Sequence, residues 1–212
     1  MSSQQTFRIG ILGSGKGSNA LAIIDACASG AIPAQVAVVV SDVAEAGILE
    51  KARAKGLNAQ HIEPGKFRTK LDDAAEVAFI KALQDAKVDL VVLAGFMRIL
   101  KGEFLRVFKD RVINIHPSLL PSFPGLDAWK QALDYGVKFT GVTVHFVDQG
   151  IDTGPIIAQE TVPILQGDTA ETLHKRIQET EHRLYPAAVA ALARGDVAVR
   201  GRQTIWKQTS GI

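Results

Sequence analysis

The chain is nearly devoid of cysteine: Cys27 is the only one among 212 residues. A single thiol can form neither an internal disulfide nor a cysteine-built zinc site, so a reducing, cytoplasmic setting is expected. Long apolar runs are also missing. The most apolar stretches, 36–40, 90–97 and 187–193, fall far short of the roughly 20 residues that a membrane span needs. Residues 1–6 carry neither a basic nor an apolar leader region, and no signal peptide is expected. An excess of one charge is absent as well: 24 basic residues stand against 22 acidic ones, and the basic residues do not cluster. Neither a nucleic-acid surface nor a membrane partner is expected. What remains is ordinary globular composition, 47% hydrophobic and 22% charged, in a length that suits one domain.

The first half alternates short β-branched runs with amphipathic ones. Strands are predicted at 7–12, 35–40, 59–62 and 90–94. Helices are predicted from about Asn19, at 48–55 (closed by Gly56) and at 69–86, the last with a stripe of Leu71, Ala75, Ala78 and Leu83. On the first helix Leu21, Ile24 and Ala28 share a face. The continuous run Leu90–Ala94 suits a parallel strand buried on both faces. The second half differs. A strand at 112–116 leads into a proline-rich loop, and 139–147 alternates like a half-buried strand that pairs with 156–162 across a turn. A long helix is expected at 169–194 with Asp168 as its N-cap, then a hairpin at 197–206. Together these predict a single α/β domain. A Rossmann-like parallel half (about 7–100) continues into a mixed sheet (about 101–206), with helices on both faces and ligands beyond the strand C-termini.

Three motifs carry chemistry. Gly13-Ser-Gly-Lys-Gly-Ser18 joins the first strand to the first helix, where backbone N–H groups and a helix N-terminus bind anions. A Walker A loop is nearly matched, but Gly17 occupies its hydroxyl position. A dinucleotide fingerprint fails at Ser18, and a ligand-free turn stays open. A monophosphate site is the best single reading. Asn114 and His116 share one face of their strand at its C-terminal end. An amide beside an imidazole can stabilise an oxyanion and move protons, although a histidine capping the following turn is the bland alternative. Asp152 lies in a glycine-flanked turn, and a carboxylate near His116 would favour the imidazolium. An aspartic-protease reading of Asp152-Thr-Gly lacks its second carboxylate. A metal site of His116, His145 and Asp152 lacks motif spacing.

These residues belong to a larger pattern. Asn114-Ile-His-Pro-Ser-Leu-Leu-Pro-x-Phe-Pro-Gly125, then Gly141-x-Thr-x-His145, then Asp148-x-Gly-x-Asp152-x-Gly-Pro155, resembles the signature series of folate-dependent formyltransferases. Within that group the chain resembles the glycinamide ribonucleotide transformylases from Arg8 to about Trp206. The resemblance rests on Gly13–Asn19 as phosphate loop, Leu93–Leu100 as folate-pocket segment and Gln178–Pro186 as helix motif.

The resemblance implies formyl transfer from 10-formyltetrahydrofolate to the amine of 5-phosphoribosylglycinamide, by direct attack and without a metal. It implies catalytic roles for His116, Asn114 and Asp152. Gly17, Ser18, Asn19, Gln178 and Glu181 would hold the ribonucleotide. Lys70, Met97, Arg98, Ile99, Leu100, Asn114, Asp148, Gln149, Gly150, Ile151 and Asp152 would line the folate pocket. Lys70 stands where bacterial members often carry arginine, keeping the charge but not bidentate binding.

Formyltetrahydrofolate deformylase is the nearest rival. It carries a preceding regulatory domain, for which a first strand starting by Phe7 leaves no room. Methionyl-tRNA formyltransferase carries a following RNA-binding domain, and this chain stops at Ile212. An oxidoreductase module using the glycine turn would leave Asn114, His116 and Asp152 unexplained.

Overall fold

A computed structural model describes residues 6–207; residues 1–5, where no signal peptide is expected, and 208–212 lie outside the described residues. The chain divides into two compact units, Met1–Asn114 and Ile115–Ile212.

In the first unit, β1 (Phe7–Leu12), α1 (Ser18–Ala28), β2 (Ala34–Ser41), α2 (Gly47–Ala54), β3 (Ala59–His61), α3 (Asp73–Asp85), β4 (Leu90–Leu93) and α4 (Gly102–Val107) precede β5 (Val112–His116). The strands run in the order β3-β2-β1-β4-β5, every neighbouring pair parallel. Winding outward from β1 to β3 and then jumping to β4 places the topological switch between β1 and β4, where such sheets bind ligands. β4 is buried along its whole length, as its apolar run predicted, with Val91 and Val92 fully buried on it and Ile9 and Ile11 fully buried on neighbouring β1. Each such side chain contributes roughly 1.5–3 kcal/mol by leaving water.

Three local expectations need correction here. α3 begins at Asp73 rather than Thr69, because the Asp72 carboxylate accepts the Ala75 N–H and caps the helix. Thr69 and Lys70 lie outside the helix instead, Lys70 in an isolated bridge to Ile99, and the buried stripe of α3 is Ala75, Phe79, Ile80 and Leu83. On α1 the buried residues are Ala20, Ile23 and Ile24, with Ala28 exposed. Too short for a periodic signal, α4 was not visible in the sequence; it is held by Phe104, whose ring meets Phe108 at 5.2 Å.

In the second unit, α5 (Ala128–Tyr135), β6 (Phe139–Phe146), β7 (Ile156–Pro163), α6 (Ala170–Ala193), β8 (Val197–Arg200) and β9 (Gln203–Trp206) follow the proline-rich loop. β6 and β7 pair antiparallel as expected, as do β8 and β9. The strands are thus mostly parallel and in part antiparallel, the mixed α/β arrangement read from the sequence. β6 is buried from Thr140 to Phe146 rather than half-buried, so its polar alternation faces the interior and not solvent. The N-cap of α6 is Thr169, one residue past the expected Asp168, with Thr169 and Thr172 exchanging capping bonds. Asp168 instead receives Arg176 on both carboxylate oxygens, each at 2.8 Å. The guanidinium holds the Asp168 carboxyl well below the usual carboxylate range. The terminal hairpin is fastened to β7 by Thr204 Oγ1, which donates to the Ile156 carbonyl at 2.8 Å. Among the described residues no helix is long and apolar enough to cross a membrane.

Candidate active site

The register of the parallel strands aligns three chemistry-bearing ends. Leu12 pairs with Leu93, and Leu93 with Asn114, so the glycine turn, the 94–100 segment and Asn114 start from one row. The turn then enters α1 through Gly17 in the left-handed region at φ 72°, where a Cβ would lie 2.7 Å from Cβ of Ile48. Only glycine fits there. No side-chain hydrogen bond caps α1 at Gly17, and Ser18 and Asn19 at its start are half-buried.

The segment after β4 is bound to that turn. Ser14 N–H donates to the Gly95 carbonyl at 2.9 Å, and Met97 N–H donates to Ser14 Oγ at 2.9 Å. Met97 is 61% exposed and Leu100 buried, with Ile99 partly exposed between them. The guanidinium of Arg98 is spent within the protein. Its Nε donates to Asp42 at 2.6 Å, and its Nη1 to the carbonyls of Phe67 and Arg68. Lys70 is exposed, its Nζ 4.4 Å from the centre of the Phe67 ring.

In the second unit, His116 is 4% exposed. Its Nε2 lies 2.8 Å from the Phe123 carbonyl and its Nδ1 lies 3.3 Å from Oδ2 of Asp152. Both neighbours can only accept, so a ring donating to both must be doubly protonated. Asp152 is itself held by the Gly125 N–H at 2.8 Å, and its backbone sits at φ 54°. Phe123, whose carbonyl meets His116, also has positive φ at 53°. The proline-rich loop therefore supplies both a carbonyl and an amide to the His–Asp pair. Gly154 keeps the Asp152 turn closed on β6: a Cβ there would fall 1.8 Å from the Phe146 carbonyl oxygen.

His145 stands on the other side of Asp152, its Nε2 3.7 Å from Oδ1. Its Nδ1 is 2.8 Å from the Phe146 carbonyl, which fixes the proton on Nδ1. Burial pushes its pKa below the ordinary value, more than neighbouring Asp152 raises it. His145 thus turns the lone pair of a neutral ring toward the carboxylate. Beneath the loop, Thr143 Oγ1 donates to the Ser118 carbonyl at 2.7 Å and accepts from Leu120 N–H at 3.1 Å. Gln159 Nε2 reaches Thr143 Oγ1 and the Leu120 carbonyl, both at 2.9 Å.

The 148–153 turn braces itself through Asp148, whose Oδ1 accepts from Gly150 N–H at 3.0 Å and Thr153 Oγ1 at 2.6 Å. Gln149, Gly150 and Ile151 are exposed on it. Gln178 is half-buried and Glu181 buried on α6, three residues apart and so on one helix face. The structure thus brings His116 together with Asp152, and sets the glycine turn beside the 95–100 segment. Sequence reasoning missed Asp42, Phe123, Gly125, Thr143 and Gln159. Of these Phe123, Gly125 and Thr143 stand in the signature series without a role assigned to them, whereas Asp42 and Gln159 stand in no motif.

Among the described residues no three His, Cys, Asp or Glu side chains are grouped to hold a metal ion.

A parallel sheet with its switch beside a glycine turn, and a His–Asp pair under a proline-rich loop, has relatives of known kind. The chain belongs to the formyl transferase family, whose model matches residues 7–189. It is 48% identical over 200 residues to a phosphoribosylglycinamide formyltransferase of Mycobacterium tuberculosis, covering 92% of this chain and 89% of that one. Its structure resembles that of glycinamide ribonucleotide transformylase 1 from Symbiobacterium toebii, with a TM-score of 0.92 at 49% identity, covering 96% of this chain and 95% of that one. A formyltetrahydrofolate deformylase from Pseudomonas syringae shares the fold at TM-score 0.88 but only 26% identity, covering 96% of this chain and 66% of the other. The chain spans only 14–20% of several trifunctional purine biosynthetic proteins it also matches, among them those of Drosophila pseudoobscura and Gallus gallus.

Proposed function

We propose that the protein transfers the formyl group of 10-formyltetrahydrofolate to the amine of 5-phosphoribosylglycinamide, a step of purine biosynthesis. The observation that carries this reading is the His116–Asp152 pair, 3.3 Å apart. It occurs in a chain that matches single-function phosphoribosylglycinamide formyltransferases over nearly their whole length. In this reading 1–212 is one catalytic domain in the cytoplasm. Its earlier half holds phosphate through Gly17, Ser18 and Asn19, and Gln178 and Glu181 hold the ribose and glycinamide portion. The folate lies against Lys70, the 97–100 backbone and the 148–152 turn.

The reaction needs one new C–N bond and one broken C–N bond. The amine lone pair attacks the formyl carbon, and the carbonyl electron pair moves to oxygen. Asn114 donates a hydrogen bond to that oxyanion, and protonated His116 turns to it the Nδ1–H that in the resting site faces Asp152 at the longer distance of 3.3 Å. As it collapses, the bond to N10 of the folate breaks. One proton is lost by the amine and one is gained by N10: protonated His116 gives its proton to N10 and, once neutral, takes the amine's, which restores the imidazolium. Asp152 keeps the imidazolium favourable, and the Phe123 carbonyl holds the ring's plane. No covalent enzyme intermediate is involved, and no step calls for a metal.

The deciding experiment supplies purified protein with 10-formyltetrahydrofolate, with and without glycinamide ribonucleotide, and follows folate absorbance and the formylated product. Folate product is expected only when the amine is present. Rapid formate release without it would place the protein with the deformylases.

A further inference from the structure

The carboxylate of Asp42 lies at the end of β2, outside every motif the sequence singled out, and its side chain is 1% exposed. A buried carboxylate is costly unless its oxygens are filled and its charge is matched. Here Oδ1 accepts Ser14 Oγ–H and Oδ2 accepts Arg98 Nε–H at 2.6 Å. Because the Ser14 hydroxyl spends its proton on Asp42, its lone pairs are turned to receive the Met97 N–H. Arg98, anchored by the same carboxylate, grips the Phe67 and Arg68 carbonyls. The strip carrying Lys70 is then joined to Ile99 by backbone pairing, Ile99 N–H to the Thr69 carbonyl at 2.8 Å.

Every one of these contacts is to a loop, and none ties scaffold to scaffold. A buried ion pair is poor evidence for stability, since an apolar pair of the same volume often holds a fold as well. The arrangement makes sense as a device that orients three segments from one charge.

We infer that Asp42 is a positioning residue serving both substrates, fixing the glycine turn through Ser14 and the 67–70 and 97–100 segments through Arg98. The inference rests on the proposed reaction. Removing Asp42 frees the Ser14 hydroxyl to rotate, releases the Met97 amide, and leaves Arg98 charged and unmatched. Removing Arg98 loosens only the folate side.

The test is equilibrium binding by calorimetry, using glycinamide ribonucleotide alone and tetrahydrofolate alone, on wild type, Asp42→Ala, Arg98→Met and the double variant. Asp42→Ala should weaken both ligands about ten- to hundredfold, the range for a lost charged hydrogen bond. Arg98→Met should weaken tetrahydrofolate comparably and leave the ribonucleotide within about twofold. The double variant should lose no more folate affinity than Asp42→Ala alone, because both changes act along one path. The inference is overturned if Asp42→Ala affects one ligand only, if it lowers Tm with both affinities intact, or if the folate losses simply add. Should Asp42→Ala fail to fold, Asp42→Asn keeps the shape without the charge and is judged on the same pattern. Wild type that binds both ligands without transferring formyl defeats the proposed reaction while the binding pattern still judges Asp42. Wild type that binds neither defeats both.

Discussion

Replacing Asp152 by asparagine removes one charge and almost nothing else. Asparagine tolerates the left-handed backbone at φ 54° and can still accept the Gly125 N–H, so the turn is kept. What is lost is the attraction between the carboxylate and a proton on His116 Nδ1, 3.3 Å away. At that distance a pair of unit charges is worth about 1.3 kcal/mol in bulk water and about 5 kcal/mol at an effective dielectric of ~20. The side chains of His116 and Asp152 are only 5% and 13% exposed, which puts the pair nearer the second figure. Each 1.36 kcal/mol is a factor of ten in rate, so the formyl-transfer step should slow by about 10²–10⁴. Ribonucleotide binding should hardly change, because in the proposed reading its phosphate is held by Gly17, Ser18 and Asn19. Single-turnover rates at neutral pH with saturating substrates, beside calorimetric binding of the ribonucleotide, read the two effects separately. A folded variant whose transfer step slows less than about threefold, or whose defect lies in ribonucleotide affinity, would refute the electrostatic role.

Ser18→Asp should raise the KM for the ribonucleotide at least about tenfold while sparing the folate KM, since a carboxylate at the start of α1 opposes phosphate; steady-state kinetics varying each substrate separates the two, and equal losses would point to misfolding instead. Asp168 is held below its unfolded pKa by Arg176, so its contribution is complete above the usual carboxylate range and disappears as pH falls through the folded value. Asp168→Asn should therefore lower Tm at neutral pH, with the gap to wild type closing in acid; a gap constant across pH would contradict the ion-pair account. Burial pushes the Cys27 thiol up to about 11, which leaves about one thiolate in a thousand at pH 8. Its reaction with a disulfide reagent at pH 8 should run far slower than that of an unfolded control, and equal rates would mean that α1 opens readily.

The sequence was most informative where local chemistry and local geometry coincide. Glycine turn, apolar β4 and alternating β6 each declare themselves within a few residues, because strand periodicity and turn chemistry are short-range properties. Asn114 and His116 were placed on one strand face by spacing alone, and the family signature then attached Asp152 to them. The order of motifs along the chain was enough to name the family. It was not enough to say which atoms meet. That Oδ2 of Asp152 faces His116 while Oδ1 faces a neutral His145 depends on how the 148–153 turn closes against β6. The Phe123 carbonyl and Gly125 amide enter the site only because the proline-rich loop folds back on β5's end. Arg98 was assigned to folate, yet its guanidinium is taken by a carboxylate 56 positions away in sequence. Asp42 belongs to no motif and no periodic stripe, so nothing local marks it. Residue types and spacings determined which chemistry this chain can perform. Only tertiary packing decided which partners each polar atom has, because a buried donor or acceptor is satisfied by whatever distant segment the fold brings to it.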